Sequence, residues 1–244
     1  MGAATAAGDP PRRPAGVAAP ARACIFDMDG LLVDSEPFWR AAHAELMADL
    51  GVDVSPFLGT GLTTGMRVDE VVALWRAHSP WQGPSDEEVA ARIVSHVAAA
   101  VRERAVLLPG ALEALDFCGR HGLAAALATG STVEIVQAVL ERFDLARRFD
   151  AVCSAEHDTH SKPHPAIFLR AAELLGAPPS ACVVFEDSLN GVVAAKAARM
   201  RVIAVPPLEL AEDPRYALAD LCLDSLLKID TPAVLAMLGL PADA

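Results

Sequence analysis

Short apolar runs alternate with longer amphipathic stretches over the second half of the chain. The apolar runs lie at residues 123–129, 149–155, 181–187 and 201–206, and stretches with helical periodicity separate them. A continuous apolar run followed by a helix is typical of a parallel strand that is buried on both faces. The pattern therefore predicts an α/β fold with a doubly wound parallel sheet. The run ACIFD, at residues 23–27, predicts one more strand of that sheet.

The stretch from Pro37 to Leu108 has a different pattern. It contains amphipathic helical segments and loops, and Ser85 with three acidic residues after it is a typical helix start. The first 22 residues are rich in Ala, Pro and Arg, a composition that favours disorder. We therefore expect three parts: a disordered extension at 1–22, an α/β core formed by 23–36 and 109–244, and an inserted all-helical cap domain at 37–108.

Composition narrows the classes of function. The 244 residues carry 20 Lys and Arg against 32 Asp and Glu, which gives a formal net charge of −12. Binding to nucleic acid or to an anionic membrane requires clustered cationic side chains, so both partners are disfavoured. No apolar stretch approaches the roughly 20 residues of a membrane span, and the N-terminus lacks a signal-peptide pattern. These features predict a cytoplasmic protein, which we expect to be a monomer.

Polar side chains cluster where the predicted strands end. Ligands of open α/β sheets bind beyond the carboxyl ends of the strands, so these positions are candidates for chemistry. Four separate segments contribute to the set, which consists of Asp27 and Asp29, of Thr129, Gly130 and Ser131, of Lys162, and of Glu186 and Asp187.

Four neighbouring carboxylates repel one another unless a cation neutralises them. A small set of rigid oxygen ligands suits Mg²⁺ better than the larger cage that Ca²⁺ requires. A lysine beside such a metal completes a site for a dianion, and this combination is typical of phosphoryl transfer. A carboxylate on a rigid strand end can also act as the nucleophile and carry the phosphoryl group as an aspartyl phosphate.

Four motifs carry a family resemblance. FDMDGLLVDSE, LATGS, SKPHPAIF and FEDSLNG occur in the order and at the spacing of the four motifs of the haloacid dehalogenase superfamily. The chain resembles that superfamily from Ala23 to its last helix, and its helical insertion is similar to the family's first-type cap. GMRVDEVVALW, PWQGPS and LLPG most resemble hexitol phosphatases, 2-deoxyglucose-6-phosphate phosphatases and the β-phosphoglucomutase-like branch.

The resemblance implies a role for each core residue. Asp27 would attack phosphorus, while Asp29 would protonate the leaving alcohol and later activate water. Thr129 would hydrogen-bond the phosphoryl group and Lys162 would stabilise its charge. The resemblance also implies a set of Mg²⁺ ligands: Asp27, the backbone carbonyl of Asp29, Asp187 and Glu186. It implies that the substrate is contacted by Arg67, Gly130 and Ser131.

The implied activity is that of a Mg²⁺-dependent phosphatase acting on small sugar phosphates or sugar-alcohol phosphates. A β-phosphoglucomutase-type isomerase shares every core motif, but Trp39 occupies the position where that branch has a histidine, which favours hydrolysis. A haloacid dehalogenase would use an equivalent aspartate without Mg²⁺. A non-catalytic protein that binds a phosphorylated metabolite is a further alternative.

Overall fold

A computed structural model of the chain describes residues 22–58 and 60–241. The extension predicted for residues 1–22 therefore lies outside the described residues, apart from Arg22. Within those ranges, every helix is too short or too polar to cross a lipid bilayer.

The strands are β1 (Ala23–Phe26), β2 (Ala124–Thr129), β3 (Ala151–Ser154), β4 (Cys182–Glu186), β5 (Arg201–Ala204) and β6 (Leu221–Cys222). The helices are α1 (Glu36–Asp49), α2 (Val68–His78), α3 (Asp86–Arg104), α4 (Ala111–Arg120), α5 (Val133–Phe143), α6 (Ala166–Leu174), α7 (Leu189–Ala197) and α8 (Pro232–Leu238).

The strands form one parallel sheet in the order β3-β2-β1-β4-β5-β6. The prediction of a doubly wound parallel sheet is confirmed, because the order reverses at β1 and the chain proceeds outward on both sides. Strand β6 was not predicted, since it has two residues and Cys222 is exposed, so it has no buried apolar run. The central position of β1 places its carboxyl end between those of β2 and β4.

Alternate residues of each strand face the two layers of helices. Ile25 packs in one apolar cluster and Phe26 in the other, as expected from the two-residue period of a strand. The Ile25 layer includes residues of α6 and α7, and the Phe26 layer includes residues of α4, α5 and α8. Because both faces are covered, the sheet is a rigid mount for whatever follows its strand ends.

Helices α1, α2 and α3 occupy the segment that was expected to be a cap. The two ends of this segment lie side by side, because Val33 and Leu107 form an antiparallel bridge. Asp34 N donates to Val106 O at 3.0 Å, and Leu108 N donates to Leu32 O at 2.9 Å. Two adjacent crossings are suitable for a hinge, and the division into core and cap stays a prediction.

Helix α3 begins where the sequence predicts. Ser85 Oγ accepts a hydrogen bond from Glu88 N at 3.2 Å, and the Glu88 carboxylate accepts one from Ser85 N at 2.8 Å. This reciprocal pair is a capping box, which satisfies two backbone donors that the first helical turn leaves free. The local sequence therefore specifies this helix terminus, and Arg76 of α2 adds contacts to Asp86 and to the carbonyl of Pro84.

Two phenyl rings fix the relative height of β1 and β4. Phe26 and Phe185 are paired in the sheet register, are fully buried and stack with ring centroids 4.9 Å apart.

We expect Phe185→Ala to lower the free energy of unfolding by about 3–5 kcal/mol, because it removes buried surface and leaves a cavity. Urea denaturation would measure the loss. Val193→Ala on the exposed side of α7 is the control and should cost less than about 0.5 kcal/mol; similar losses in both variants would contradict the prediction.

Candidate active site at the carboxyl edge of the sheet

Three carboxylates meet beyond β1 and β4. Asp27 follows β1 directly, Glu186 ends β4, and Asp187 is the next residue. The pairing of Phe26 with Phe185 brings these strand ends level, and Asp27 N donates to Phe185 O at 3.1 Å. One oxygen from each carboxylate lies within 4.8 Å of the others, and all three side chains are buried. The structure thus brings together three of the predicted metal ligands.

Lys162 reaches the same cluster from the loop after β3. Its side chain is fully buried, and Nζ donates to Asp27 Oδ1 at 2.6 Å, to Glu186 Oε1 and to the carbonyl of Ala128 at 3.3 Å. A buried ammonium is tolerated only when it is paired and hydrogen-bonded in this way. Lys162 is therefore the cation that holds two of the carboxylates together.

One lysine does not balance the local charge. With Asp29, the cluster has four carboxylates against one ammonium, which is formally three excess negative charges. Burial raises the pKa of Asp27 to about 7, with Lys162 opposing this rise and Glu186 adding to it. Burial also raises the pKa of Asp187 well above its usual range, and the charges of Glu186 and Asp27 raise it further. The site accordingly favours the binding of a positive charge.

The residues present fit a hard divalent cation. Asp187 Oδ1 is buried and has no hydrogen-bond partner among the described residues, which leaves it free as a ligand. A Cβ at Gly30 would lie 2.2 Å from Asp187 Oδ2, and Gly30 has φ of +77°, so only glycine leaves this carboxylate its space. The donors are all oxygens, the set that Mg²⁺ and similar ions prefer.

Glu186 is more engaged than Asp187. Its Oε1 accepts from Lys162, and its Oε2 accepts from the backbone N and the Oγ of Ser188 at 2.8 and 2.9 Å. A Cβ at Gly191 would lie 1.8 Å from Glu186 Oε1, so the first turn of α7 leaves room for this carboxylate. Glu186 therefore anchors Lys162 and the start of α7, whichever further ligand it contacts.

The Asp29 carboxylate does not belong to the buried trio. Its Oδ1 accepts from Ser35 Oγ at 2.5 Å and from Trp39 Nε1 at 3.2 Å. Its Oδ2 accepts from Ser131 Oγ at 2.6 Å and from Thr129 Oγ1 at 3.3 Å. Four donors, two from the start of α1 and two from the end of β2, hold the carboxylate at the wall of a cavity beside the trio.

This cavity lies between the strand ends and the helical segment. Asp27 and Asp29 line its floor together with residues 129–131, the positions predicted to hold a phosphoryl group and its ester oxygen. The opposite wall comes from α1 and from a set of residues that precede or begin α2: Leu58, Gly61, Thr63, Thr64, Gly65, Met66, Val68 and Val71. Its polar members, none of them predicted as site residues, are Glu36, Trp39, Arg40, His43, Thr63 and Thr64. The cavity thus presents carboxylates at one end and mixed hydrogen-bonding groups at the other.

Arg67 does not line this cavity, although it was predicted to bind the substrate. Its Nη1 donates to the backbone carbonyls of Ala155, at 3.4 Å, and Asp158, and its Nη2 pairs with Asp69 at 2.8 Å. Glu70, one turn into α2, accepts from Ser161 next to Lys162. Arg67 is therefore placed as a contact between α2 and the loop that carries Lys162.

The residues that sequence reasoning missed share one signal. Glu36, Trp39, Arg40 and His43 have the i, i+3, i+4, i+7 spacing of a single helical face. A polar stripe of this kind usually faces solvent, and only the tertiary structure shows that it faces the cavity. Ser35 gave no signal of its own, because a serine before a helix is an ordinary cap.

The chain is similar to known proteins over most of its described length. The family model of the haloacid dehalogenase-like hydrolases matches residues 21–199. Hexitol phosphatase B of Escherichia coli K12 is 49% identical over 207 residues, which cover 85% of this chain and 93% of that protein. CbbY from Rhodobacter sphaeroides in complex with phosphate has a TM-score of 0.77 and 30% identity, covering 86% of this chain and 96% of that one. β-Phosphoglucomutase from Clostridium difficile has a TM-score of 0.78 at 22% identity, covering 90% and 97%, and shows the fold alone.

Arg67 can be tested for a structural role against the substrate-binding role that was predicted from sequence. We expect Arg67→Ala to lower the free energy of unfolding by about 2–3 kcal/mol, because it removes charged hydrogen bonds to two backbone carbonyls. The measurement is urea denaturation, together with KM for p-nitrophenyl phosphate. Arg92→Ala, at an exposed position of α3, is the control and should leave stability unchanged. A large rise of KM without loss of stability would instead support the substrate role predicted from sequence.

Proposed function

Because the chain belongs to the haloacid dehalogenase-like hydrolases, we propose that it is a Mg²⁺-dependent phosphatase of small sugar phosphates or sugar-alcohol phosphates. The observation that carries this proposal is the buried trio of carboxylates, two of them bridged by Lys162, whose member Asp27 lines the floor of a cavity together with Asp29. Such a site neutralises a phosphoryl group on one side and offers an acid–base group on the other.

The cavity supports a hydroxylated leaving group. Its upper wall combines carboxylate, guanidinium, imidazole and hydroxyl groups, which together can donate to and accept from a row of hydroxyls. The 49% identity to a hexitol phosphatase supports a six-carbon polyol phosphate or sugar phosphate as the substrate. An apolar ester would leave these polar groups without partners, which is costly in an enclosed site.

In the proposed mechanism, Asp27 is the nucleophile. Its Oδ1 is held by Lys162, which leaves Oδ2 to form a bond to phosphorus while the bond from phosphorus to the ester oxygen breaks. Asp29, protonated in this step, gives its proton to the departing oxygen and releases the alcohol. The phosphoryl group is then attached to Asp27 as an acyl phosphate.

The second step restores the enzyme. Asp29, now a carboxylate, takes a proton from a water molecule that attacks phosphorus, and the bond to Asp27 breaks to release phosphate. The hydroxyls of Thr129 and Ser131 donate to Asp29 in the structure, and each would turn its single O–H to a phosphoryl oxygen when the substrate is bound. Lys162 keeps the Asp27 oxygen in place through both steps.

The side chains of Asp27 and Asp187 and the backbone carbonyl of Asp29 would hold Mg²⁺, with Glu186 adjacent. When bound, the ion supplies charge neutralisation for the phosphoryl oxygens. Residues 37–108 would act as the cap, and residues 23–36 with 109–244 as the core. Closure of α1 over the strand ends would exclude water from the cavity and strengthen each polar contact inside it.

We expect Asp27→Asn to reduce hydrolysis of 2-deoxyglucose 6-phosphate by at least about 10³-fold, because the amide is not a competent nucleophile. Phosphate release measures the activity, and circular dichroism shows whether the fold is kept. Asp224→Asn, at an exposed residue paired with Lys228, should keep full activity. Full activity in Asp27→Asn would refute the assignment of Asp27 as the nucleophile.

Metal binding has a readout that does not depend on turnover. MgCl₂ at 100 times its Kd should stabilise the wild-type protein by about 2.7 kcal/mol, if the ion binds only the folded state. Thermal denaturation with and without MgCl₂ measures this as a rise in Tm. Asp187→Asn should lose most of the rise, because it removes the negative charge of the carboxylate that has the free oxygen, while Asp224→Asn should keep it. Equal rises in both variants would place the metal elsewhere.

A further inference from the structure

The cavity face of α1 carries a histidine with an unusual environment. His43 is 7% exposed and lines the cavity, one helical turn beyond Trp39, whose indole contacts Asp29. Its ring lies between two tryptophans, stacked on Trp39 with centroids 6.1 Å apart and in an edge contact with Trp75 at 6.2 Å. The ring orientation is therefore fixed from both sides.

One nitrogen of this ring is committed to the protein. His43 Nδ1 accepts a hydrogen bond from the Nε1 of Trp75 at 3.3 Å, so Nδ1 must carry its lone pair and not a proton. In the neutral ring the proton is then on Nε2. No group in the described part of the chain accepts a hydrogen bond from Nε2. The Trp75 contact thus leaves Nε2–H as a donor without a partner in the described part of the chain, on a residue that lines the cavity.

The charge state agrees with this assignment. Burial lowers the pKa of His43 to about 4, so the ring is neutral in neutral solution. A purely structural role would need only the contact with Trp75, in which Nδ1 satisfies the buried indole N–H, and would make no use of Nε2. A neutral donor that is free at the wall of a ligand cavity is a more specific feature than packing requires.

We propose that His43 is a specificity-determining residue, whose Nε2–H donates a hydrogen bond to a hydroxyl oxygen of the substrate's leaving group. The inference rests on the proposed phosphatase function and names the group that selects among its substrates. His43 lies four residues after Trp39, which is about 6 Å along the helix axis. The recognised hydroxyl is therefore several bonds from the ester oxygen beside Asp29, in a long polyol or sugar and not in a short alcohol.

The experiment measures selectivity in the full-length protein with Mg²⁺ present. The quantity is the ratio of kcat/KM for sorbitol 6-phosphate to kcat/KM for p-nitrophenyl phosphate, a substrate without hydroxyls on its leaving group. His43→Phe should lower this ratio by about 10-fold, the value expected for one lost hydrogen bond. The loss should lie mainly in a higher KM for sorbitol 6-phosphate, as for binding shared by ground state and transition state.

Two amide variants test the position of the donor. His43→Gln places an amide near the Nε2 position and should keep the ratio within about 3-fold of the wild type. His43→Asn reaches only the Nδ1 position, so it should lower the ratio as His43→Phe does, and it replaces that variant if the latter does not fold. His96→Phe, the same exchange at a partly exposed residue of α3 outside the cavity, should leave the ratio unchanged.

The outcomes separate the inference from the function beneath it. If both kcat/KM values fall in parallel and the ratio stays constant, His43 is structural and the inference is wrong, while the phosphatase function stands. The same conclusion follows if the Gln and Asn variants behave alike. If the wild-type protein hydrolyses p-nitrophenyl phosphate but neither sorbitol 6-phosphate nor other sugar phosphates, the proposed substrate class fails first, and the role of His43 fails with it.

Discussion

The buried contact of Lys162 with Asp27 and Glu186 is the constraint on which the rest of the site depends. Burying an ammonium and several carboxylates is costly, and for Lys162, Asp27 and Glu186 it is tolerated because these groups are hydrogen-bonded to one another and Glu186 also to Ser188. The stacked pair Phe26 and Phe185 keeps the two strand ends level, so the carboxylates cannot move apart to relieve their repulsion. The close approach of the Gly30 backbone to Asp187 and of the Gly191 backbone to Glu186 follows from the same crowding.

The four carboxylates of the site differ in their hydrogen-bond partners, although they share the same excess of negative charge. Glu186 has its oxygens satisfied by the protein, whereas Asp187 retains a buried oxygen without a partner among the described residues. Asp29 is drawn out of the cluster by donors from α1 and the end of β2. Four chemically similar side chains therefore have different environments, and environment is what assigns roles to identical groups.

The sequence allowed the core to be predicted because its signals are local. Apolar runs mark the strands, parallel strands place their carboxyl ends at one edge, and the polar residues at those ends must then meet. The doubly wound sheet and the family are confirmed, and the structure brings Asp27, Lys162 and Asp187 together. The side-chain roles stay predictions that rest on this geometry.

The cavity wall opposite the strand ends could not be predicted from local sequence signals. Helical periodicity shows which residues share a face of α1, but not whether that face meets solvent, core or cavity. Arg67 illustrates the difficulty, because a position that matches a substrate-binding arginine by sequence is engaged by two carbonyls of the loop near Lys162. Trp39 was interpreted as a departure from a mutase pattern, and its contact with Asp29 was not foreseen.

These two halves of the cavity are coupled through a single helix. Trp39 contacts the acid–base candidate Asp29, and His43 on the next turn faces the distal part of the cavity. Both rings belong to one aromatic row that includes Trp75 in the buried core of the helical segment. A leaving group that fits against this row would therefore act on the position of α1, and through Trp39 on the orientation of Asp29. In the proposed function, recognition of the leaving group and placement of the proton donor would then be parts of one packing arrangement, while the sheet would fix the phosphoryl end independently.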